Sequence, residues 1–291
     1  MKQVVPDYYE KFKCIANHCR HNCCIGWEID IDTETLRAYR ELPGTFGDRL
    51  RSHIHDEAFL LDKEERCPFL NPKGLCEIIC TLGEGALCQI CADHPRFRNF
   101  YSDRVEMGLG LCCEAAAQVI LSHPMPMRLT EIQGDPLPEE QTFFAFRRQI
   151  FAILQDRTQS IDQRVEAMLE LCHGELPEKN IAQWAQVYLK LERLDSAWDA
   201  LLENLHAAGE AQERPLVYEQ LLVYFIYRHL AGALEDGRLK QRVLFAALSY
   251  QMIRAISAAH PTVPLEEIAR MYSAEIEYSD QNMEVIFNLL A

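Results

Sequence analysis

Cysteine is the residue type that most constrains what this chain can fold into. Of its 12 cysteines, 11 lie between residues 14 and 113. They are grouped as Cys14-x4-Cys19-x3-Cys23-Cys24, Cys67-x8-Cys76-x3-Cys80, Cys88-x2-Cys91 and Cys112-Cys113. Thiols clustered this densely form either the disulfide framework of a small secreted domain or the ligands of a metal or iron–sulfur centre.

The compartment decides between these two uses of cysteine. The N-terminal segment MKQVVPDYYE has no apolar run of the kind found in a signal peptide. No stretch of the chain approaches the roughly 18 apolar residues that a membrane span needs. We therefore expect a protein of the reducing cytoplasm, with no membrane association, whose clustered thiols bind a metal or an iron–sulfur cluster.

The spacing gives a set of expected ligands. Cys88 and Cys91 form a C-x2-C pair, which allows two thiolates of one turn to reach the same metal. Cys80, beside two isoleucines, and Cys172, alone on a helical face, are better explained as small buried side chains. His18 and His21 are possible replacements for one thiolate. The predicted metal ligands are Cys14, Cys19, Cys23, Cys24, Cys67, Cys76, Cys88, Cys91, Cys112 and Cys113.

Several alternatives for this centre stay open. Zinc and a [4Fe–4S] cluster both accept four thiolates, and the sequence lacks the regular pair of C-x2-C knuckles that is common in zinc sites. The thiols outnumber the needs of one site, so either two centres or spare ligands fit the count. In each adjacent pair we expect one thiolate to bind the centre while its neighbour packs or serves elsewhere.

Composition and charge exclude several classes of protein. Hydrophobic residues make up 48% of the 291 residues and charged residues 25%, as in ordinary globular proteins. The net charge is −15. Binding to a phosphate backbone relies on lysine and arginine, so nucleic acid is not expected as a partner.

The sequence divides into two regions that differ in composition and in hydrophobic periodicity. Two prolines and a glycine in QGDPLP, residues 133–138, interrupt any periodic pattern and predict a boundary there. Beyond it, helical periodicity and punctuating prolines predict an all-α bundle. We expect helices over 143–154, 161–169, 181–205, 216–234, 239–259 and 265–290. Gly174, just past the second, is the expected C-cap.

The first region is less regular. Residues 33–42 predict a short helix capped by Asp32 or Thr33, and the alanine-rich residues 113–121 predict another. Residues 66–95 combine glycines, prolines and cysteines and can bury few side chains, so a metal centre is expected to organise them. The predicted fold is mostly α, with an irregular cysteine-rich iron–sulfur domain at 1–135 and an all-α helical bundle at 136–291.

Four separated motifs carry a resemblance to a known family. They read PDYYEKFKCIANHCRHNCCIGWEIDID at 6–32, CPFLNPKGLCE at 67–77, LCQICADHPRF at 87–97 and EMGLGLCCE at 106–114. Together they resemble the bacterial flagellin lysine-N-methylase family, and also the broader group of cysteine-rich, zinc- or iron-chelating domains. The motifs cover about residues 5–122, and the helical remainder resembles the family only in texture.

The resemblance implies an enzyme, a methyltransferase that uses S-adenosylmethionine and a [4Fe–4S] cluster to methylate surface lysines of flagellin. The residues themselves do not show methyl transfer. Gly83-Glu84-Gly85 and Gly108-Leu109-Gly110 lack the spacing of a nucleotide-binding glycine turn. The C-x3-C-x2-C signature of radical S-adenosylmethionine enzymes is absent as well. We therefore expect a cofactor site of neither standard kind.

Four residues near the motifs are candidates for the chemistry. His94 could relay a proton and Glu114 could attract a cationic lysine, so both are predicted catalytic residues. Arg96 could hold the carboxylate of S-adenosylmethionine, and Glu106 its ammonium group. The alternatives are a turn histidine, a surface arginine and solvated glutamates at helix ends. The alternative function is a non-catalytic iron–sulfur or zinc-binding interaction module.

Overall fold

The computed structural model describes residues 2–130, 133–203, 205 and 213–291. Contacts divide the chain into two compact units. One consists of residues 13–96 and the other of residues 1–12 together with 97–291. The first is called the cysteine unit below, and the second the helical unit. The described part of the chain is mostly helical, as the sequence predicted.

The elements are numbered in chain order. The strands are β1 Lys2–Val4, β2 Ile54–His55, β3 Ala58–Phe59, β4 Arg96–Phe100 and β5 Arg104–Leu109. The helices of the first 130 residues are α1 Thr33–Glu41, α2 Gly44–Ser52, α3 Glu77–Leu82, α4 Gln89–Asp93 and α5 Glu114–Leu121. The later helices are α6 Pro138–Leu154, α7 Ile161–Leu171, α8 Ile181–Tyr188, α9 Ala197–Leu202, α10 Pro215–His229, α11 Ala233–Asp236, α12 Leu239–Ala259, α13 Leu265–Tyr272 and α14 Asp280–Leu289.

The cysteine unit folds around a small core. Its α1 begins where the sequence predicted, because the Asp32 carboxylate accepts a hydrogen bond from Thr35 N at 3.0 Å. The buried residues are Ile29, Ile31, Leu36, Tyr39, Leu50, Phe59, Cys67, Phe69, Ile78 and Cys88. Two of these ten are cysteines. Much of this unit's organisation therefore depends on residues of the cysteine motifs.

The helical unit is built around α10 and α12, which pack against each other. The apolar run of α10 is buried on all sides, with Leu222 and Phe225 fully enclosed. A helix that is apolar all round belongs in the interior of a protein. This run is therefore part of the core of the bundle.

Residues 97–135 group with the helical unit, whereas the sequence placed its boundary after residue 135. Side chains of α10 explain the grouping. Tyr227 donates a hydrogen bond to Met107 O at 3.0 Å, and Gln220 Nε2 donates one to Met125 O at 2.8 Å. In the small sheet, β5 lies between β1 and β4, and β1 runs parallel to it with Val4 opposite Glu106. The sequence did not indicate this sheet.

Three of the predicted helices are interrupted. Residues 181–205 form α8 and α9 with an irregular link, and α10 gives way to a short 3-10 turn before α11. The last predicted helix is split into α13, a π-helical turn at Ser273–Glu277, and α14. In contrast, α12 has the predicted bounds.

The end of α7 differs from the expected glycine cap. Cys172 is the C-cap, and His173 takes the left-handed conformation with φ 49°. Gly174 N then donates to Leu169 O at 2.9 Å, which completes a Schellman motif. Glycine is needed here for space, because a Cβ atom would lie 2.8 Å from the Cys172 sulfur.

Candidate functional site

Backbone pairing brings four cysteines of the cysteine unit together, and Cys88 and Cys91 interact electrostatically with them. Cys67 N donates to Cys24 O at 2.8 Å, which places the Cys23-Cys24 pair beside the CPFL segment. Leu70 bridges Cys76, so the two ends of CPFLNPKGLC meet. Cys76 and Cys88 are the N-caps of α3 and α4. The group is called the thiol cluster and consists of Cys23, Cys24, Cys67, Cys76, Cys88 and Cys91.

Two pairs within the thiol cluster share a proton. A hydrogen bond from the Cys24 thiol lowers the pKa of Cys23 to about 7 and correspondingly raises the pKa of Cys24. In the same way, a hydrogen bond from Cys91 lowers the pKa of Cys88, while the pKa of Cys91 is raised. Each pair therefore favours one thiolate, which is the form that binds metals.

The pairs are linked through the remaining thiols. Burial raises the pKa of Cys67 to about 11, and negative charge on Cys76 and Cys88 adds to the effect. The pKa of Cys91 is raised in part by Cys67 and Cys23, from the other segments. Thiols that interact so closely repel one another once ionised, and a bound cation would remove that repulsion.

The donor set suits a thiolate centre by its chemistry. Six cysteine thiols are of the ligand type that zinc and iron–sulfur clusters prefer. All cysteines are present as free thiols. Within the described ranges, no three His, Cys, Asp or Glu side chains already have the arrangement of a metal site. Binding would therefore require side-chain movements within the thiol cluster.

Other cysteines of this unit have their own surroundings. The Cys14 sulfur accepts from Ala16 N, and Cys19 donates to His21 O. Cys80 is exposed, so the expectation of a small buried side chain is wrong for this residue. Its charge contributes to the raised pKa of Cys76, so it lies beside the cluster. Which of these thiols are ligands stays a prediction.

Cys112, Cys113 and Cys172 belong to the helical unit. Cys112 is buried, which raises its pKa to about 12, and it contacts Tyr278 and the charge of Arg228. Cys113 is the N-cap of α5. Cys172 donates a hydrogen bond to Leu169 O at 3.2 Å, at the end of α7. That position fits the expectation that Cys172 is a packing residue.

The four predicted chemical residues have different environments. His94 lies in the cysteine unit with its ring 6.4 Å from that of Trp27, and Arg96 donates to Ala92 O at 3.3 Å. Glu114 is half-buried in the first turn of α5. Glu106 is 1% exposed in β5, so it is not a solvated helix-end glutamate. The proposed roles of these residues stay predictions.

The helical unit contains a buried charged cluster that the sequence did not indicate. The π-helical turn places Glu277 in the interior. Its carboxylate lies 2.5 Å from His229 Nε2 and 3.2 Å from Arg228 Nε, and it accepts from the Tyr224 hydroxyl at 3.0 Å. The only sequence signal was the pairing of Arg228 and His229 at the end of an apolar helix. Turns of π-helix often occur at functional sites.

A polar cavity of about 500 Å³ adjoins this cluster. Its lining comes from β4, the start of α6, the end of α10 and the residues up to Arg242 on α12. The lining residues that carry charge or a titratable ring are Arg98, Glu139, Glu140, Arg228, His229, Glu235 and Arg242. Its volume is within the usual range for small-molecule sites.

Comparison with known proteins adds a family to this geometry. Residues 175–291 match the family model described as the FliB lysine N-methylase C-terminal domain. That range contains α10, the π-helical turn, and therefore Arg228, His229 and Glu277. The four sequence motifs lie within residues 5–122. The match to the family model therefore extends the similarity to the helical region, which the motifs do not cover.

Curated relatives agree with the family model. Lysine-N-methylases of Salmonella typhimurium strain LT2 and Salmonella choleraesuis are each 26% identical over 242 residues. Each match covers 73% of this chain but 57% of the relative, so the chain spans little more than half of their length. The flagellar biosynthetic protein FliU of Salmonella muenchen is 29% identical over 147 residues, which cover 45% of this chain and 85% of that protein.

The helical fold and these matches relate the chain, over residues 175–291, to the C-terminal domain of lysine N-methylases. The resemblance to the bacterial flagellin lysine-N-methylase family is confirmed, and the chain is a relative of that family's members. No solved structure matches the chain. In the part of the chain that the structure describes, no helix has the length and apolar character needed to cross a membrane.

Proposed function

We propose that this protein transfers methyl groups from S-adenosylmethionine to lysine side chains of flagellin in the cytoplasm. The observation that carries the proposal is the match to two lysine-N-methylases over 242 residues. The similarity to a flagellar biosynthetic protein supports flagellin as the substrate. In the reaction, the lysine nitrogen bonds to the methyl carbon while the carbon–sulfur bond of the sulfonium breaks.

The thiol cluster supports the proposal that a [4Fe–4S] cluster is bound, with zinc as the alternative. Cys67 and Cys88 are buried and linked to the Cys23-Cys24 pair, which makes these segments the proposed ligand source. An iron–sulfur cluster would supply a redox-active centre, whereas zinc would only organise the surrounding turns. In the proposal, His94 and Glu114 keep their expected roles in catalysis and Arg96 its expected contact with the cofactor. Glu106 is expected to contact the cofactor only if Arg147, which binds both of its carboxylate oxygens, is displaced.

A second candidate function is a non-catalytic metal-binding interaction module. The observation that favours it is the concentration of the six interacting thiols in a compact unit of their own. In such a module the centre would stabilise a binding surface, and flagellin or another flagellar protein would be bound without modification.

The colour of the purified protein separates the two metals. Under anaerobic conditions we expect a brown protein with broad absorbance, iron and acid-labile sulfide, because these accompany a [4Fe–4S] cluster. A colourless protein that contains zinc would contradict the cluster. Enzyme and module are separated by incubating the protein with flagellin and S-adenosylmethionine. We expect flagellin to gain the mass of methyl groups, and unchanged flagellin would favour the module.

A further inference from the structure

The hydrogen bonds of His229 define its tautomer. The Glu277 carboxylate is held in place by Arg228 and by the Tyr224 hydroxyl, and it accepts from His229 Nε2 at 2.5 Å. A carboxylate in this position keeps the proton on the nitrogen that faces it. In the neutral ring the other nitrogen, Nδ1, then carries a free lone pair and can accept a proton.

This Nδ1 atom is available to the cavity. His229 is 9% exposed, and it lines the cavity together with Arg228. Within the described residues, the imidazole's only hydrogen bond is the one to Glu277. Polar side-chain atoms that are enclosed and lack a partner occur elsewhere in the described residues, but Nδ1 is not one of them, so it is accessible. A buried histidine that lines a cavity, with one nitrogen bound to a carboxylate and the other without a hydrogen bond, has the arrangement of a general base.

The charges around the cavity favour a cationic ligand. Two of its three arginines already have carboxylate partners, since Arg228 pairs with Glu277 and Arg242 with Asp236. The lining also contains Glu139, Glu140 and Glu235. Together with the two carboxylates that pair with the arginines, these glutamates outnumber the guanidinium groups. Glu140 already binds Ser102, whereas Glu139 and Glu235 are exposed.

Phe100 adds an aromatic surface to the lining. Its side chain is 69% exposed, which is unusual for phenylalanine and leaves a ring face open at the cavity. Ring faces attract ammonium groups and also pack against the methylene stem of a lysine. The lining therefore offers apolar contact, negative charge and a proton acceptor in one place.

We propose that the cavity binds a lysine side chain of the protein substrate and that His229 Nδ1 accepts the proton of its ε-ammonium group. The proposal rests on the proposed lysine methylation. One N–H bond of the ammonium breaks, its electron pair stays on the lysine nitrogen, and the proton bonds to Nδ1. The resulting imidazolium is stabilised by Glu277, which makes Glu277 a positioning residue.

The protonation states agree with these roles. Burial lowers the pKa of His229, so the ring is neutral and able to accept a proton near neutral pH. Burial opposes ionisation of Glu277, but Arg228 and His229 hold its pKa below the ordinary range, so it is a carboxylate.

The first test compares methylation by the wild type, by a His229→Gln variant and by a His260→Gln control. Glutamine can still donate to Glu277 but is not a base. His260 is a half-buried histidine of the same unit whose Nε2 is hydrogen-bonded to Leu201 O. We expect kcat to fall roughly 100-fold or more in the first variant, with little change in KM, and to stay at the wild-type value in the control.

Chemical rescue separates a base from a structural residue. In a His229→Ala variant, added imidazole can enter the space of the lost ring and restore part of the rate. We expect the rate to rise with imidazole concentration in this variant and to stay constant in the wild type. Wild-type kcat in folded His229→Gln protein, or no rescue of folded His229→Ala protein, would overturn the proposal.

A measurement without turnover distinguishes failure of the His229 assignment from failure of the proposed lysine methylation. Nitrogen-15 NMR of the His229 ring should show the neutral tautomer with the proton on Nε2, and the Nδ1 signal should shift when N-α-acetyl-lysine amide is added. A proton on Nδ1, or no shift at saturating probe, would overturn the assignment even if the wild type methylates flagellin. If the NMR result holds and the wild type transfers no methyl group, the proposed function fails instead.

Discussion

Arg147 and Glu106 form a buried ion pair with two hydrogen bonds, in which Nη1 and Nη2 of the arginine lie 2.6 and 2.7 Å from the two carboxylate oxygens. Both side chains are at most 5% exposed. Arg147 also donates to the Tyr101 hydroxyl at 3.3 Å. Because both oxygens of Glu106 already have a charged partner, a cofactor could contact this carboxylate only by displacing Arg147.

Removing one member of this pair should cost much more than removing both. We expect Arg147→Met to lower the free energy of unfolding by about 3–5 kcal/mol, because Glu106 is left as a buried charge without its partner. The double variant Arg147→Met, Glu106→Gln should recover part of the loss. Urea unfolding measures both values. A single variant as stable as the wild type would show that the pair contributes nothing.

The acid sensitivity of the helical unit should depend on His229. Because burial lowers its pKa below the ordinary value of 6.5, the unfolded chain takes up a proton at a higher pH than the folded chain does. This residue therefore makes unfolding easier as the pH falls below about 6.5. The stability difference between the wild type and His229→Gln should shrink between about pH 7.5 and pH 5.5 in urea titrations. A constant or growing difference would contradict a neutral buried ring.

Sequence periodicity was sufficient to predict a helix and its bounds where one face or the whole of the helix is apolar. The bounds of α12 were predicted correctly, because Val243 to Leu248 form an unbroken apolar run in its interior and Pro261 follows shortly after its last residue. Asp32 likewise marked the start of α1 through its cap. Both signals are local, so they can be recognised without knowledge of the tertiary structure.

Long-range contacts explain what the sequence could not indicate. The π-helical turn at Ser273–Glu277 interrupts a continuous helical pattern. Its last residue, Glu277, contacts His229 and Tyr224, which lie some 50 positions earlier in the sequence. The grouping of residues 97–135 with the helical unit depends on hydrogen bonds from Tyr227 and Gln220, which no composition boundary reveals. The candidate base is therefore a product of tertiary structure, whereas the thiol cluster could be recognised from spacing.

Chelation should affect the cysteine unit before the helical unit. If the thiol cluster holds a metal centre, removing the metal leaves interacting thiols in a core of few apolar side chains. We expect amide hydrogen exchange to quicken across residues 13–96, while α10 and α12 keep their protection. The control is the same chelator added to protein already prepared without metal. Unchanged exchange across residues 13–96 would contradict a folding role for the centre.

Serine substitutions should separate ligands from other thiols. Cys67→Ser and Cys88→Ser remove buried members of the thiol cluster and should lower bound iron and sulfide well below stoichiometric amounts. Cys172→Ser is the matched control, because this thiol belongs to the helical unit, where it donates to Leu169 O at the end of α7, and its loss is expected to leave the metal content unchanged. Cys80→Ser should also keep its iron, as the sequence predicted. Loss of iron in either of the last two variants would refute this partition.

Transfer of a labelled methyl group tests the central claim most directly. The anaerobically reconstituted protein is incubated with flagellin and S-adenosylmethionine that carries a deuterated methyl group, and the flagellin is then digested and sequenced by tandem mass spectrometry. The account predicts deuterated methyl groups on lysine Nζ atoms, formed by the wild type and strongly reduced with Cys67→Ser. Flagellin whose lysines carry no label, although the protein is folded and its metal content is complete, would contradict it.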